Sequence, residues 1–126
     1  MKILVVSEDS RARAWVRLAI GADAEYTETS NGIEALRAAA EENPDVVVAD
    51  ETTEPYGAFG LSRELKMSAN PPRVIVLLER AQDTWLARWS GADRWFVRPL
   101  DPFELAEAVR QYASASGASV EKGGAA

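Results

Sequence analysis

Apolar residues fall into short unbroken runs, separated by stretches in which they recur every three or four positions. Ile3 to Val6, Val46 to Ala49 and Val74 to Leu78 are such runs, each bounded by polar or turn residues. This is the pattern of strands covered on both faces. Arg94-Trp95-Phe96-Val97 is a shorter strand, and Glu25-Tyr26-Thr27-Glu28-Thr29 is a more polar one that belongs at a sheet edge. Between them, Ala12, Trp15, Val16, Ala19 and Ile20 lay one buried stripe along a helix that Gly21 closes. Asn31-Gly32 opens a second helix, running to about Glu42 with Ala35, Leu36 and Ala39 inward and Pro44 as its stop. A loop from Glu51 to about Ala58, containing Pro55 and Gly57, leads to a short third helix carrying Leu61 and Leu65. Gln82 to Ser90 is the fourth helix, ended by Gly91. The fifth opens on Asp101 as N-cap, Pro102 at the first helical position and Glu104 completing a capping box.

Strands alternating with helices predict an α/β fold, a parallel sheet with helices on both faces joined by right-handed crossovers. The 126 residues suit one domain, with boundaries at 1–113. Residues 114–126 are rich in Ser, Gly and Ala and read as a flexible tail. Composition narrows the chemistry. The chain has no His and no Cys, which excludes imidazole catalysis, zinc sites of the usual kind, thiol nucleophiles and a disulfide scaffold. A net charge of −6 and a pI of 4.7 argue against a nucleic-acid surface. No apolar run approaches the roughly 20 residues of a membrane span, and the chain starts on a strand rather than a secretory leader. A cytoplasmic protein without nucleic-acid or membrane partners is expected.

A parallel sheet brings Ser7-Glu8-Asp9, Asp50, Leu78 and Arg98 to one rim, at the carboxyl ends of its strands, where open α/β sheets leave a crevice. Asp50 is the first residue to explain, because it ends the most apolar run on a carboxylate. Acids after two strands and a cation after a third suit a divalent cation and phosphoryl chemistry. On spacing alone a second reading stands beside it, in which Asp50 and Glu8 are solvated strand-end acids paired with Arg98.

Several pieces, in this order and at these spacings, resemble the receiver domain of bacterial response regulators across residues 2 to about 112. They are Lys2-Ile3-Leu4-Val5-Val6 before an acidic turn, Asn31-Gly32-Ile33-Glu34-Ala35-Leu36, Pro44-Asp45-Val46-Val47-Val48-Ala49-Asp50, Val74-Ile75-Val76-Leu77, Gly91-Ala92-Asp93, and Arg98-Pro99-Leu100-Asp101-Pro102-Phe103-Glu104-Leu105. The resemblance implies a flavodoxin-like (CheY-like), doubly wound five-stranded sheet of order 2-1-3-4-5. It implies that Asp50 matches the aspartate phosphorylated by a sensor histidine kinase, that the acids after the first strand hold Mg²⁺ with it, and that Arg98, Leu78 and Trp95 occupy the phosphate-contact and switch positions.

The chain departs from the pattern at the same rim. Ser7 stands where the first acid belongs, while Glu8 and Asp9 keep negative charge beside it. Leu78 replaces a hydroxyl residue, Arg98 replaces a lysine, and Trp95 takes the place of the switch aromatic. The metal set would be Glu8, Asp9 and Asp50, with weak Mg²⁺ affinity. The reading that follows is an atypical, non-enzymatic receiver acting in a phosphorelay through protein contacts, with Asp50 as phosphoacceptor and a degraded switch. A fully competent single-domain response regulator is the alternative, and a small-ligand or cofactor-binding flavodoxin-like protein a more distant one. Trp85 and Trp89, one helical turn apart, mark a partner or homodimer face made by the fourth helix, fifth strand and fifth helix.

Overall fold

The structure, a computed structural model, describes residues 1–53 and 57–125, with side chains as far as Ser114 at the C-terminal end. Pro55, expected in the loop after the central strand, lies outside the described residues. The strands are β1 (Lys2–Val6), β2 (Glu25–Thr29), β3 (Val46–Asp50), β4 (Arg73–Leu78) and β5 (Arg94–Val97). They form one parallel sheet in the order β2-β1-β3-β4-β5, as expected. The register pairs Val5 with Val48 and Asp50 with Leu77. The polar strand β2 is indeed at an edge, and only one of its five residues, Thr29, is buried.

Alternate residues of the inner strands feed two cores. Ile3, Val5, Val46, Val48, Ile75 and Leu77 face one way, meeting Val16 and Ile20 of α1 (Ser10–Ile20) and Leu105 and Val109 of α5 (Pro102–Ala125). Leu4, Val6, Val47, Ala49, Val74, Val76 and Leu78 face the other way. They meet α2 (Gly32–Glu42), α3 (Gly57–Lys66) and α4 (Thr84–Trp89) through Ala35, Leu61, Leu65 and Ala87. This period-two division makes the apolar runs continuous, because both faces of each inner strand are covered.

Caps fix where the helices start. Asp9 accepts from Arg11 N–H at 2.9 Å, Asn31 from Glu34 N–H at 2.9 Å and Asp101 from Phe103 N–H at 2.8 Å. Asp101 accepts from Phe103 rather than Glu104 N–H, and among the described hydrogen bonds Glu104 makes no return bond, so a simple N-cap stands in place of the expected capping box. Asn43 ends α2 in the left-handed conformation, with Pro44 next. The expected fourth helix divides into a 3-10 turn (Ala81–Asp83) and the short α4. Helix α5 extends past the expected boundary at 113 to Ala125, a stretch whose side chains lie outside the described residues.

Three tryptophans are exposed beside buried neighbours. Trp15, expected in the inner stripe of α1, is 37% exposed, because Val16 and Ile20 take the central inward positions. Trp85 and Trp89 are 64% and 55% exposed, while Ala87 between them is fully buried. No described helix is long and apolar enough to cross a membrane.

Candidate functional site

The sheet delivers Asp50 to the rim at the end of β3, buried on both sides by the strands it lies between. A carboxylate there has to be paired, since an isolated buried charge would cost several kcal/mol. Its main partner is Arg98, at the end of β5 and just before a cis Arg98–Pro99 peptide. The guanidinium grips the carboxylate as a fork, with Nη1 donating to Oδ1 and Nη2 to Oδ2, each at 3.3 Å. A lysine could not make this two-point contact. Ser7, at the end of β1, donates its hydroxyl to Oδ2 at 3.0 Å. Thr52 donates both its N–H and its hydroxyl to Oδ1 at 3.3 Å. Ser7 is itself held, since its hydroxyl oxygen accepts from Asp9 N–H at 3.1 Å and its carbonyl oxygen from Arg13 at 2.6 Å.

Sequence reasoning named Asp50 and Arg98 and noted Ser7, and these three come together. It missed Thr52 and Glu79. Glu79, the residue after β4, accepts from the same Arg98 Nη1 that reaches Asp50, so one guanidinium ties β3, β5 and the β4–α4 loop. The signal for Glu79 was an acid one place beyond a strand end on the same rim. Leu78 is fully buried in the core facing α3 and α4. It does not line the cleft at Asp50, about 540 Å³ in volume, whose walls include Trp15, Arg11, Glu79, Arg98 and Leu100. Trp95 is half-buried on the same side of the sheet as Leu78, with the Arg88 guanidinium 5.8 Å from its ring centre.

The expected Mg²⁺ ligands do not gather. Glu8 and Asp9 are exposed, and the Asp9 carboxylate is engaged as the cap of α1. No three His, Cys, Asp or Glu among the described residues form a group that could hold a metal ion. Mg²⁺ demands several oxygens in near-octahedral array at close range, and this donor set does not fit it.

Beside the site, a second acidic pair links two loops. The Glu51 carboxyl is pushed up to about 7, first by burial and then by a hydrogen bond shared with Asp83, although the N–H of Glu79 donating to it works the other way. Asp83 is held low by that shared bond and by Arg80.

An uncharacterized response regulatory protein of Mycobacterium tuberculosis is 32% identical over 117 residues, covering 86% of this chain and 88% of that protein. The chain belongs to the response-regulator receiver family. This receiver is also 32% identical over 117 residues to an uncharacterized 14.6 kDa protein of Leptolyngbya boryana, with 89% of each chain covered. No family model matches it. Among solved structures, a response regulator of Chloroflexus aurantiacus superposes with a TM-score of 0.82 at 19% identity, covering 90% of this chain and 97% of that one. The chemotaxis response regulator CheY4 of Vibrio cholerae gives 0.78 at 22% identity, with 88% and 97% covered. At these identities the structural likeness speaks for the fold, and the chain is a receiver domain of two-component signalling by its relatives.

Proposed function

We propose that this receiver accepts a phosphoryl group on Asp50 and passes its state on by protein contact, with a weakened switch. The observation that carries the reading is the buried Asp50 carboxylate in the Arg98 fork, opening onto a cleft. In the reaction a carboxylate oxygen of Asp50 attacks phosphorus. The new O–P bond forms as the bond from phosphorus to the donor's leaving group breaks, and that group departs with the electron pair. Arg98 then pairs with phosphoryl oxygens in place of the carboxylate. Leu78 supplies no hydroxyl to follow the phosphoryl group, so the β4–α4 loop gains little new contact and the population shift is small. The donor is a sensor histidine kinase or another signalling protein, and no catalytic turnover is assigned to the chain. The signalling unit is 1–113, with 114–126 as an appendage.

Incubation with acetyl phosphate tests this. Slow addition of one phosphoryl mass, absent in Asp50→Asn, with amide shifts confined to the rim, is expected. Large shifts reaching Trp95 and α4 would instead make the chain a fully competent single-domain response regulator. No incorporation under any donor would sink the phosphoacceptor reading.

For output we propose the face that carries Trp85 and Trp89. Both rings are exposed, and the Arg63 guanidinium lies 4.2 Å above the Trp89 ring. Exposed aromatics beside arginine have the composition of an interface anchor. Trp89→Ala should weaken homodimer or partner association by about 2 kcal/mol with an unchanged unfolding curve. Unchanged association, measured by sedimentation, would move the interface elsewhere.

A further inference from the structure

Five donor groups converge on the two oxygens of Asp50: Ser7 Oγ and Arg98 Nη2 on Oδ2, and Arg98 Nη1, Thr52 N and Thr52 Oγ1 on Oδ1. A carboxylate offers about four lone-pair sites. At rest its acceptor capacity is filled by the protein itself, and a Mg²⁺ ion binding there at about 2.1 Å must displace these donors against the like charge of Arg98, a repulsion that an anionic phosphoryl donor does not meet. The neighbours cannot take over. Ser7 is neutral, its proton is directed at Asp50 and its oxygen already accepts from Asp9 N–H. The carboxylate of Asp9 is spent on the α1 cap.

We propose that Arg98 is the resident counter-cation of this site and that Asp50 takes up no Mg²⁺ while Arg98 holds it. This deepens the phosphoacceptor reading and rests on it only for its functional consequence. Three features make Arg98 suited to the role. Its charge is permanent at any working pH, unlike that of an amine. Its fork engages both carboxylate oxygens, so a metal entering from either side meets a guanidinium N–H. Its Nη1 also bonds Glu79, which anchors the group from a second strand end and sets where the fork lies. Glu79 is thus a positioning residue, acting on Asp50 through Arg98. Any transfer to Asp50 then balances charge with a guanidinium that is covalently part of the chain, and its rate should not respond to chelators of divalent metal.

The test is a Mg²⁺ titration of the full chain, uniformly labelled with ¹⁵N, at constant ionic strength. Native protein is expected to show no saturable shift at Asp50, Thr52 or the Arg98 side chain through the millimolar range. Arg98→Ala is expected to gain a saturable response centred on Asp50, at least tenfold tighter than any in native protein, and Arg98→Ala with Asp50→Asn is expected to lose it again. Should Arg98→Ala not fold, Arg98→Gln, which is shorter but keeps a hydrogen-bonding polar group without the charge, is read the same way. Saturation of the native site at Asp50 anywhere up to the millimolar range would overturn the proposal. So would a folded Arg98 variant whose response equals that of native protein. A chain that never accepts a phosphoryl group leaves these outcomes unaltered, so the two readings fail separately.

Discussion

Two acids anchor clusters of opposite charge at opposite ends of the sheet, and they differ in what holds them. At the amino end Asp93 binds Lys66 and Arg73, and its carboxylate also accepts from Val74 N–H at 2.7 Å. Its own N–H returns a bond to Val74 O at 2.8 Å. Asp93 therefore clamps the start of β4 through backbone on both sides, with two cations in attendance. At the carboxyl end Asp50 meets one guanidinium and two hydroxyls, plus a single N–H from its own loop. Most of its partners are side chains, which move by rotamer changes without breaking the sheet. Burial does not separate the two, since both carboxylates are largely covered, at 16% and 5% exposed. The difference between a staple and a site lies in backbone partners against side-chain partners, and in the cleft that only Asp50 lines of the two.

Several substitutions break or sharpen that contrast. Asp93→Asn should be the most damaging, costing about 2–3 kcal/mol in urea unfolding, because it leaves Lys66 and Arg73 facing a neutral amide. Asp50→Asn should cost about 1 kcal/mol or less, since the amide oxygen still accepts from Ser7 or Thr52 and Arg98 retains Glu79. Equal costs at the two positions would abolish the distinction drawn here.

Leu78→Thr falls between these two, with an expected cost of about 2 kcal/mol from lost apolar burial and a hydroxyl placed in the core. In return, amide shifts on treatment with acetyl phosphate should spread further toward Trp95 than in native protein. Equal spread in both would show that the missing hydroxyl is not what limits the switch.

The smallest effect concerns Glu51. Its folded value of about 7 lies above the ordinary 4.5, so the folded state holds a proton that the unfolded state has released. Stability contributed by that proton is complete below pH 4.5 and is lost as pH rises through 7. Glu51→Gln should flatten this part of the pH–stability curve. An unchanged slope would place the shared proton elsewhere.

Much of the fold was legible because its signals are local. Each inner strand is an apolar run of the right length, and Asn31 and Asp101 announce helix starts by chemistry that acts within three residues. Asp50 and Arg98 were legible because strand ends in a parallel sheet converge whatever the details. Glu79 was not, since its role depends on how a long side chain from a residue 19 positions away is turned. Thr52 was hidden in a loop, where no periodicity exists to read. Trp15 was misplaced because it neighbours Val16 at about 100° around the helix, on the border where an amphipathic pattern gives either face. Glu8, Asp9 and Asp50 do not gather for a related reason: three acids near one rim in sequence do not aim at one point when one caps a helix and another lies in solvent.

The exposed indole edge of Trp15 lies in the wall of the cleft that Asp50 and Arg98 share. The emission colour and quantum yield of indole follow the polarity and charge around it, so this residue is an optical reporter already built next to the Asp50 carboxylate. Replacing Trp85, Trp89 and Trp95 by Phe would leave a chain whose only indole light comes from that wall. Events at Asp50 could then be followed in real time by a spectrometer, with no dye attached and no partner protein present.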